Sequence, residues 1–130
     1  MKIHRIPRYK EGIILKVNRE LLKGSTTMLI LSLLENENMY GYEMIKKLKE
    51  KSQNVFEFQE GTLYPILHGL EEKNYISSYW DNTGSKKRKY YCITKEGKKH
   101  LKSQKEEWKI FITGVNQVCR RCIIWILKDF

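Results

Sequence analysis

From Leu101 onward, apolar side chains recur every seven residues: Leu101, Trp108, Val115 and Cys122, with Phe111, Val118 and Trp125 three places further on. Ile112, Cys119 and Ile126 widen the stripe. A repeat of seven held over about three heptads is the seam of a helix that packs on another helix. A chain of 130 residues can build one domain with its own core, but it cannot also cover such a seam. The expectation is therefore a partner helix, most simply from a second copy related by a two-fold axis. Gln104 and Lys105 interrupt the seam near its start, and Gly114 weakens the helix interior.

The residues before this helix fall into two parts. Residues 1–18 are basic and irregular, with Pro7 and Gly12 ahead of Ile13, Ile14, Leu15 and Val17. They read as an N-terminal arm, partly disordered, holding at most a short helix. Residues 19–94 carry three helical stretches and then a change of period. The first, about Leu21 to Glu35, is apolar around most of its circumference and is expected at the centre of the core. Gly24-Ser25-Thr26 weakens its first turns, and Asn36-Glu37-Asn38 ends it. The second runs from about Met39 to Lys51, with Tyr42, Ile45 and Leu48 at i, i+3, i+6 and Met44 beside them. A linker follows, in which Val55, Phe56 and Phe58 are expected to hold it to the core. The third runs from about Glu60 to Lys73, with Leu63, Ile66, Leu67 and Leu70 as its buried stripe. Pro65 would then fall in the first turn, where a missing N–H is tolerated.

At Tyr75 the period drops to two. Tyr75–Trp80 and Arg88–Ile93 are rich in aromatic and β-branched residues, and Asp81-Asn82-Thr83-Gly84-Ser85 between them is turn chemistry. A β-hairpin with a tip loop of about six residues is expected, with Lys86, Lys87, Arg88 and Lys89 on its descending side. Thr94 then caps the long helix, which takes up residues 95–130. The fold class is mainly α with a small β-hairpin: a winged helix-turn-helix followed by a long C-terminal dimerisation helix.

Charge narrows the function. Lys and Arg number 25 against 15 Asp and Glu, a net charge of +10. Such a balance favours polyanionic partners, with solubility as the plainer explanation. The excess is concentrated. Residues 84–102 hold eight Lys or Arg against the single acid Glu96. A hairpin places such charge on a protruding tip, where it can follow a phosphate backbone or enter a minor groove. The third helix would be the one that enters the major groove. Thr62, Tyr64 and His68 stand on the face opposite its apolar stripe, as contacts to bases or phosphates or as ordinary surface. The DNA-binding set read here is Thr62, Tyr64 and His68 with Lys86, Lys87, Arg88 and Lys89. The dimer or effector set is Leu101, Trp108, Phe111, Ile112, Val115 and Val118. Trp108 on the seam either packs between subunits or lines a cavity for a flat aromatic ligand.

Other classes are disfavoured. The longest apolar runs, Met28–Leu31 and Ile123–Leu127, fall far short of the ~18 residues that span a bilayer. No signal peptide is evident, so the expected place is the cytoplasm. Cys92, Cys119 and Cys122 make an odd set without a disulfide framework. Cys119-Arg120-Arg121-Cys122 lacks a second pair or a nearby His, so no metal site is expected. Its cysteines would pack on the seam, or act as a redox sensor through a disulfide across the dimer. His4, His68 and His100 are scattered, no phosphate loop or nucleophile motif appears, and neither an enzyme nor a cofactor is expected. The rival to a DNA-binding regulator is a winged-helix module that docks proteins.

Three ordered motifs also resemble a known family. Tyr40-Gly41-Tyr42-Glu43, then Glu60-Gly61-Thr62-Leu63-Tyr64-Pro65-Ile66-Leu67, then Arg88-Lys89-Tyr90-Tyr91-Cys92-Ile93-Thr94 with Gly97 are similar to signatures of the PadR family of transcriptional regulators. The resemblance spans roughly Val17 to Val118. It implies a homodimeric winged-helix protein, usually a repressor, that leaves an inverted-repeat operator when a small molecule binds. The likeness is to short-tailed members, in which one C-terminal helix makes the dimer. The resemblance puts DNA contacts on Thr62, Tyr64 and the wing cations, and Tyr40 near a phosphate. It also implies that a tryptophan at the place of Trp108 can stack on flat aromatic or phenolic effectors. Two positions depart from the pattern. Gly69 stands where a basic residue is frequent, and Gly84-Ser85-Lys86-Lys87 replaces a Gly-Arg start to the wing, which favours backbone contact over minor-groove insertion.

Overall fold

The computed structural model describes residues 18–119. The expectations for the basic arm at 1–17 and for the seam at Cys122, Trp125 and Ile126 lie outside the described residues. Five helices and three short strands follow in the order α1 Arg19–Lys23, α2 Thr26–Asn36, β1 Met39–Tyr40, α3 Gly41–Lys51, α4 Glu60–Glu72, β2 Ile76–Asp81, β3 Arg88–Ile93 and α5 Lys95–Val118.

The first expected helix is two helices. The Ser25 N–H and hydroxyl and the Thr26 hydroxyl all donate to the Leu22 carbonyl, at 3.0, 3.1 and 2.8 Å. Local side-chain donors of this kind compete with the helical ladder, and next to Gly24 they close α1 after five residues. α2 is central as expected, with Ile30, Leu31, Leu33 and Leu34 buried.

The second expected helix begins two residues late, because Met39 and Tyr40 are strand. They pair antiparallel with Tyr91 and Tyr90 of β3, so the hairpin is the larger part of a three-stranded sheet ordered β1-β3-β2. Of the residues expected on the buried face of α3, Met44 and Leu48 are buried and Ile45 is half-buried, whereas Tyr42 is exposed and Gly41 is buried beside them.

α4 starts at Glu60, which makes Pro65 its sixth residue and puts it in the second turn, not the first. Pro65 brings no N–H to the Gly61 carbonyl, so the helix gives up one internal hydrogen bond there. Asn74, at φ 65°, closes its end, and the Tyr75 N–H returns to the Leu70 carbonyl at 3.0 Å. Asparagine tolerates this left-handed conformation better than most residues. Phe58 of the α3–α4 linker is buried, and Val55 and Phe56 are half-buried, as the linker's apolar residues suggest.

The core lies between α2, α3 and α4 and the inner face of the sheet. Leu63, Leu67 and Leu70 of α4 meet Ile30, Leu31, Met44, Ile76 and Tyr91 there. Leu101 belongs to the same core at 1% exposure. It is therefore not part of the open seam, and the dimer set read from the heptads loses its first member. The reason is local: the first turns of α5 lie against α2, and only beyond them does the helix leave the domain.

Thr94 caps α5 as expected, its hydroxyl oxygen accepting from the Gly97 N–H at 2.9 Å. The same hydroxyl donates to the Asn74 carbonyl at 2.7 Å, and the Thr94 N–H donates to the Tyr75 carbonyl at 3.0 Å. Gly97 must remain glycine at this point, since a Cβ would overlap the Tyr75 carbonyl oxygen.

Candidate nucleic-acid interface

The residues proposed to contact DNA sit on three elements: Tyr40 on β1, Thr62, Tyr64 and His68 on α4, and the wing cations on the hairpin. Helix geometry at about 100° per residue turns Leu63, Leu67 and Leu70 inward and Gly61 and Pro65 outward. Gly61 and Pro65, both exposed, form the crest of the outward strip. Thr62 and His68 are exposed on opposite flanks of it. A Cβ at Gly61 or Gly69 would meet nothing within 4 Å. This crest carries no bulky side chain, so a groove wall can approach the helix backbone closely.

Tyr64 does not stand on that strip with Thr62 and His68. It is half-buried and turns sideways against α3, where a Cβ on Gly41 would collide with its ring and hydroxyl. Burial raises the Tyr64 phenol above its ordinary value, and the Glu60 carboxylate adds to the rise. At neutral pH it is a protonated hydroxyl able both to donate and to accept. It borders a groove of about 430 Å³ between α4 and the sheet, shared with Tyr40, His68, Trp80, Lys87, Arg88 and Lys89. Thr62 faces the other way, toward α1.

The hairpin register sets which wing residues meet. Asp81 pairs with Arg88, Trp80 with Lys89 and Tyr79 with Tyr90. Asp81 accepts from the Thr83 N–H at 2.9 Å and the Thr83 hydroxyl at 2.7 Å, which closes the start of the tip loop. These two hydrogen bonds hold its carboxyl below the usual range, and Arg88 opposite lowers it further. Of the eight cations in residues 84–102, only Lys86, Lys87, Arg88 and Lys89 belong to the hairpin. Lys95, Lys98, Lys99 and Lys102 lie on α5. The charge expected at one tip is thus divided between the wing and the base of the long helix.

Three of the four wing cations rest on aromatic rings. Lys87 Nζ lies 5.0 Å from the Trp80 ring centre, the Arg88 guanidinium 4.5 Å from Tyr40, and Lys89 Nζ 5.6 Å from Tyr91. Lys89 also reaches Glu71 at 3.9 Å, the most committed of the set. Such stacking is worth about 0.5–1 kcal/mol at exposed sites and fixes where the cation points. Lys86 at the tip makes no such contact among the described residues and is fully available to a phosphate.

Several residues of this surface do not stand out in the sequence. Tyr90 lies between Tyr40 at 5.4 Å and Tyr79 at 5.7 Å, an aromatic row across all three strands. Trp80 is 56% exposed beside Lys87. The hairpin halves alone could have placed Tyr79 and Trp80, since a six-residue tip sets their partners as Tyr90 and Lys89. Nothing local marks Tyr40 as a strand residue.

The comparisons with known proteins agree with this fold. The signature of the transcriptional regulator PadR-like family matches residues 30–103, which is more than half of the chain. The chain belongs to the PadR-like family. Its fold matches a transcriptional regulator from Clostridium thermocellum at 37% identity and TM-score 0.71, over 75% of this chain and 96% of that one. A PadR family regulator from Eggerthella lenta is 38% identical with TM-score 0.69, over 77% of this chain and 86% of the other. An uncharacterised protein of Lysinibacillus sphaericus is 36% identical over 93 residues, 71% of this chain and 85% of that protein. The transcriptional regulator YqjI of Escherichia coli is 25% identical over 96 residues, and the match spans 45% of its length.

This PadR-like chain is accordingly a transcriptional regulator with a winged-helix DNA-binding fold, and not an enzyme. Among the described residues no helix is long and apolar enough to cross a membrane, and no cluster of three metal-ligating side chains occurs. The far half of α5 is open. Trp108 is 41% exposed, Phe111 55%, Val115 37% and Val118 86%, with Ile112 half-buried between them. The Trp108 and Phe111 rings stand 5.9 Å apart.

Proposed function

We propose that this regulator is a homodimeric repressor that holds an inverted-repeat operator and leaves it when a small molecule binds. The observation that carries the reading is the apolar row on α5 beyond Leu101, from Trp108 to Val118, exposed on a helix that has already left the domain. Exposed apolar rows at heptad spacing are covered by a like helix, and a two-fold axis is the simplest way to supply it. Two copies so joined present two α4 helices and two wings, which calls for half-sites about one helical turn apart.

In this reading Thr62 and His68 meet base edges or phosphates from the flanks of α4, and Tyr64 offers its hydroxyl from the groove side. Tyr40 supports Arg88, and Lys86 and Lys87 follow the backbone. Trp108 and Phe111 with their counterparts form a flat-walled site between subunits, suited to an aromatic or phenolic effector. The protein works in the cytoplasm, where its operator is.

The test is fluorescence anisotropy with DNA from immediately upstream of the gene, against a shuffled duplex, at two salt concentrations. Sedimentation of the same sample reports the oligomer. A preference of ~10³ or more for the native fragment, carried by a dimer, is the expected result. Equal, steeply salt-dependent binding to both duplexes, or a monomer at the same occupancy, would count against it.

A further inference from the structure

A second groove lies on the far side of α4 from the wing. It is about 500 Å³ in volume and is walled by Leu22 of α1, Thr27 of α2, Val55 and Phe58 of the α3–α4 linker, and Thr62 and Ile66 of α4. That volume falls within the range of small-molecule sites, about 300–1,000 Å³. Leu22, Val55 and Ile66 are each only half-buried, so this wall keeps apolar surface in reach of solvent. The rim is cationic on one side. Arg19 and Lys23 stand four residues apart on α1, hence on one face of it, and both border the groove. Neither makes an ion pair among the described residues. The acid on the rim, Glu57, is engaged by Lys49 at 3.3 Å.

We infer that this groove is a binding site for a small amphipathic carboxylate, its apolar body against Leu22, Val55 and Ile66 and its head on Arg19 and Lys23. The site is separate from the Trp108 row, which lies on the part of α5 that leaves the domain. Its floor is the recognition helix itself: Thr62 is a DNA-facing flank residue and Ile66 is one turn further along. A ligand seated here touches α4 directly and biases its position on DNA without passing through the subunit interface. That consequence rests on the proposed DNA reading; binding itself does not.

The test uses the full chain, with methyl-labelled Leu, Val and Ile, titrated with 4-phenylbutyrate and with its neutral amide. The expected result is saturable shifts of the Leu22, Val55 and Ile66 methyls at up to millimolar carboxylate, about tenfold weaker for the amide. Arg19→Gln with Lys23→Gln should remove that preference, leaving acid and amide alike. Both substitutions are on exposed positions, so the variant keeps its fold and the test its force. Thr27→Trp should fill the groove and abolish the shifts. Any of three results overturns the inference: no saturable shift at these methyls, shifts confined to the Ile112 and Val115 methyls on the Trp108 row, or equal binding of acid and amide by the unaltered chain. Anisotropy with operator DNA and the same carboxylate then reads the coupling. A groove that binds the carboxylate while no DNA is recognised would leave the site standing and remove the repressor reading.

Discussion

Gly41 and Tyr64 form the pair on which the candidate interface turns. They lie on different helices, and the Tyr64 ring occupies the space a Cβ on Gly41 would need. Gly41→Ala should therefore cost about 1–3 kcal/mol, as overpacking does. The same change in a Tyr64→Ala background should cost far less. Urea unfolding of the four proteins closes the cycle, and additive losses would show that the ring does not fill that space. The pair also explains what the sequence could convey about this site. Thr62 and His68 are exposed as helical spacing implies. The sideways turn of Tyr64 is not legible in the sequence, because it depends on a missing side chain in another helix. Burial raises the Tyr91 phenol above 10.0, with the Glu71 carboxylate and Tyr64 adding to it. The folded state then keeps a proton that the unfolded chain releases. That contribution is complete below 10.0 and is lost as pH rises through the folded value. Tyr91→Phe should flatten the fall in unfolding free energy measured on either side of pH 10.0, and an unchanged slope would assign the fall to other groups.

Among the elements, the junction at Thr94 joins the end of α4, the approach to β2 and the start of α5. Its hydroxyl bonds Asn74 at the end of α4 and caps α5 through Gly97, while its N–H holds Tyr75 ahead of β2. Loss of an N-cap costs about 0.5–2 kcal/mol, and here a second hydrogen bond goes with it. Thr94→Ala should fall at the upper end of that range in urea unfolding, and Thr94→Ser should recover most of it. If the two variants are equally destabilised, the methyl group and not the hydroxyl is what matters. α3, α4, the hairpin and α5 are legible as elements from apolar period and turn residues. β1 is not, since a two-residue strand has no period and exists only through β3, far along the chain. The split of α1 from α2 is foreshadowed by Gly24-Ser25-Thr26, but the convergence of three donors on one carbonyl is not. Leu101 takes its place in the repeat like any seam residue, whereas the packing of α5 on α2 decides its burial.

For the whole molecule, the distribution of charge matters more than its total. Four cations sit on the wing and four on the base of α5, so DNA engaged by the wing need not meet them all. Lys86→Ala with Lys87→Ala should weaken operator and random DNA alike. It should make the dependence of log affinity on log salt shallower by about 0.9 for each phosphate that is no longer neutralised. A weakening confined to operator would mean that these lysines read sequence. An unchanged salt slope would mean that other cations meet the DNA backbone.

At Thr94, α4, the wing and α5 diverge from a single joint made of one hydroxyl and two carbonyls. In a two-fold assembly, the angle at that joint sets how far apart the two reading heads stand. A small change of side chain there would alter the preferred distance between half-sites while leaving every base contact in place. If the proposed dimer holds two half-sites, spacing and sequence preference would then be separately adjustable.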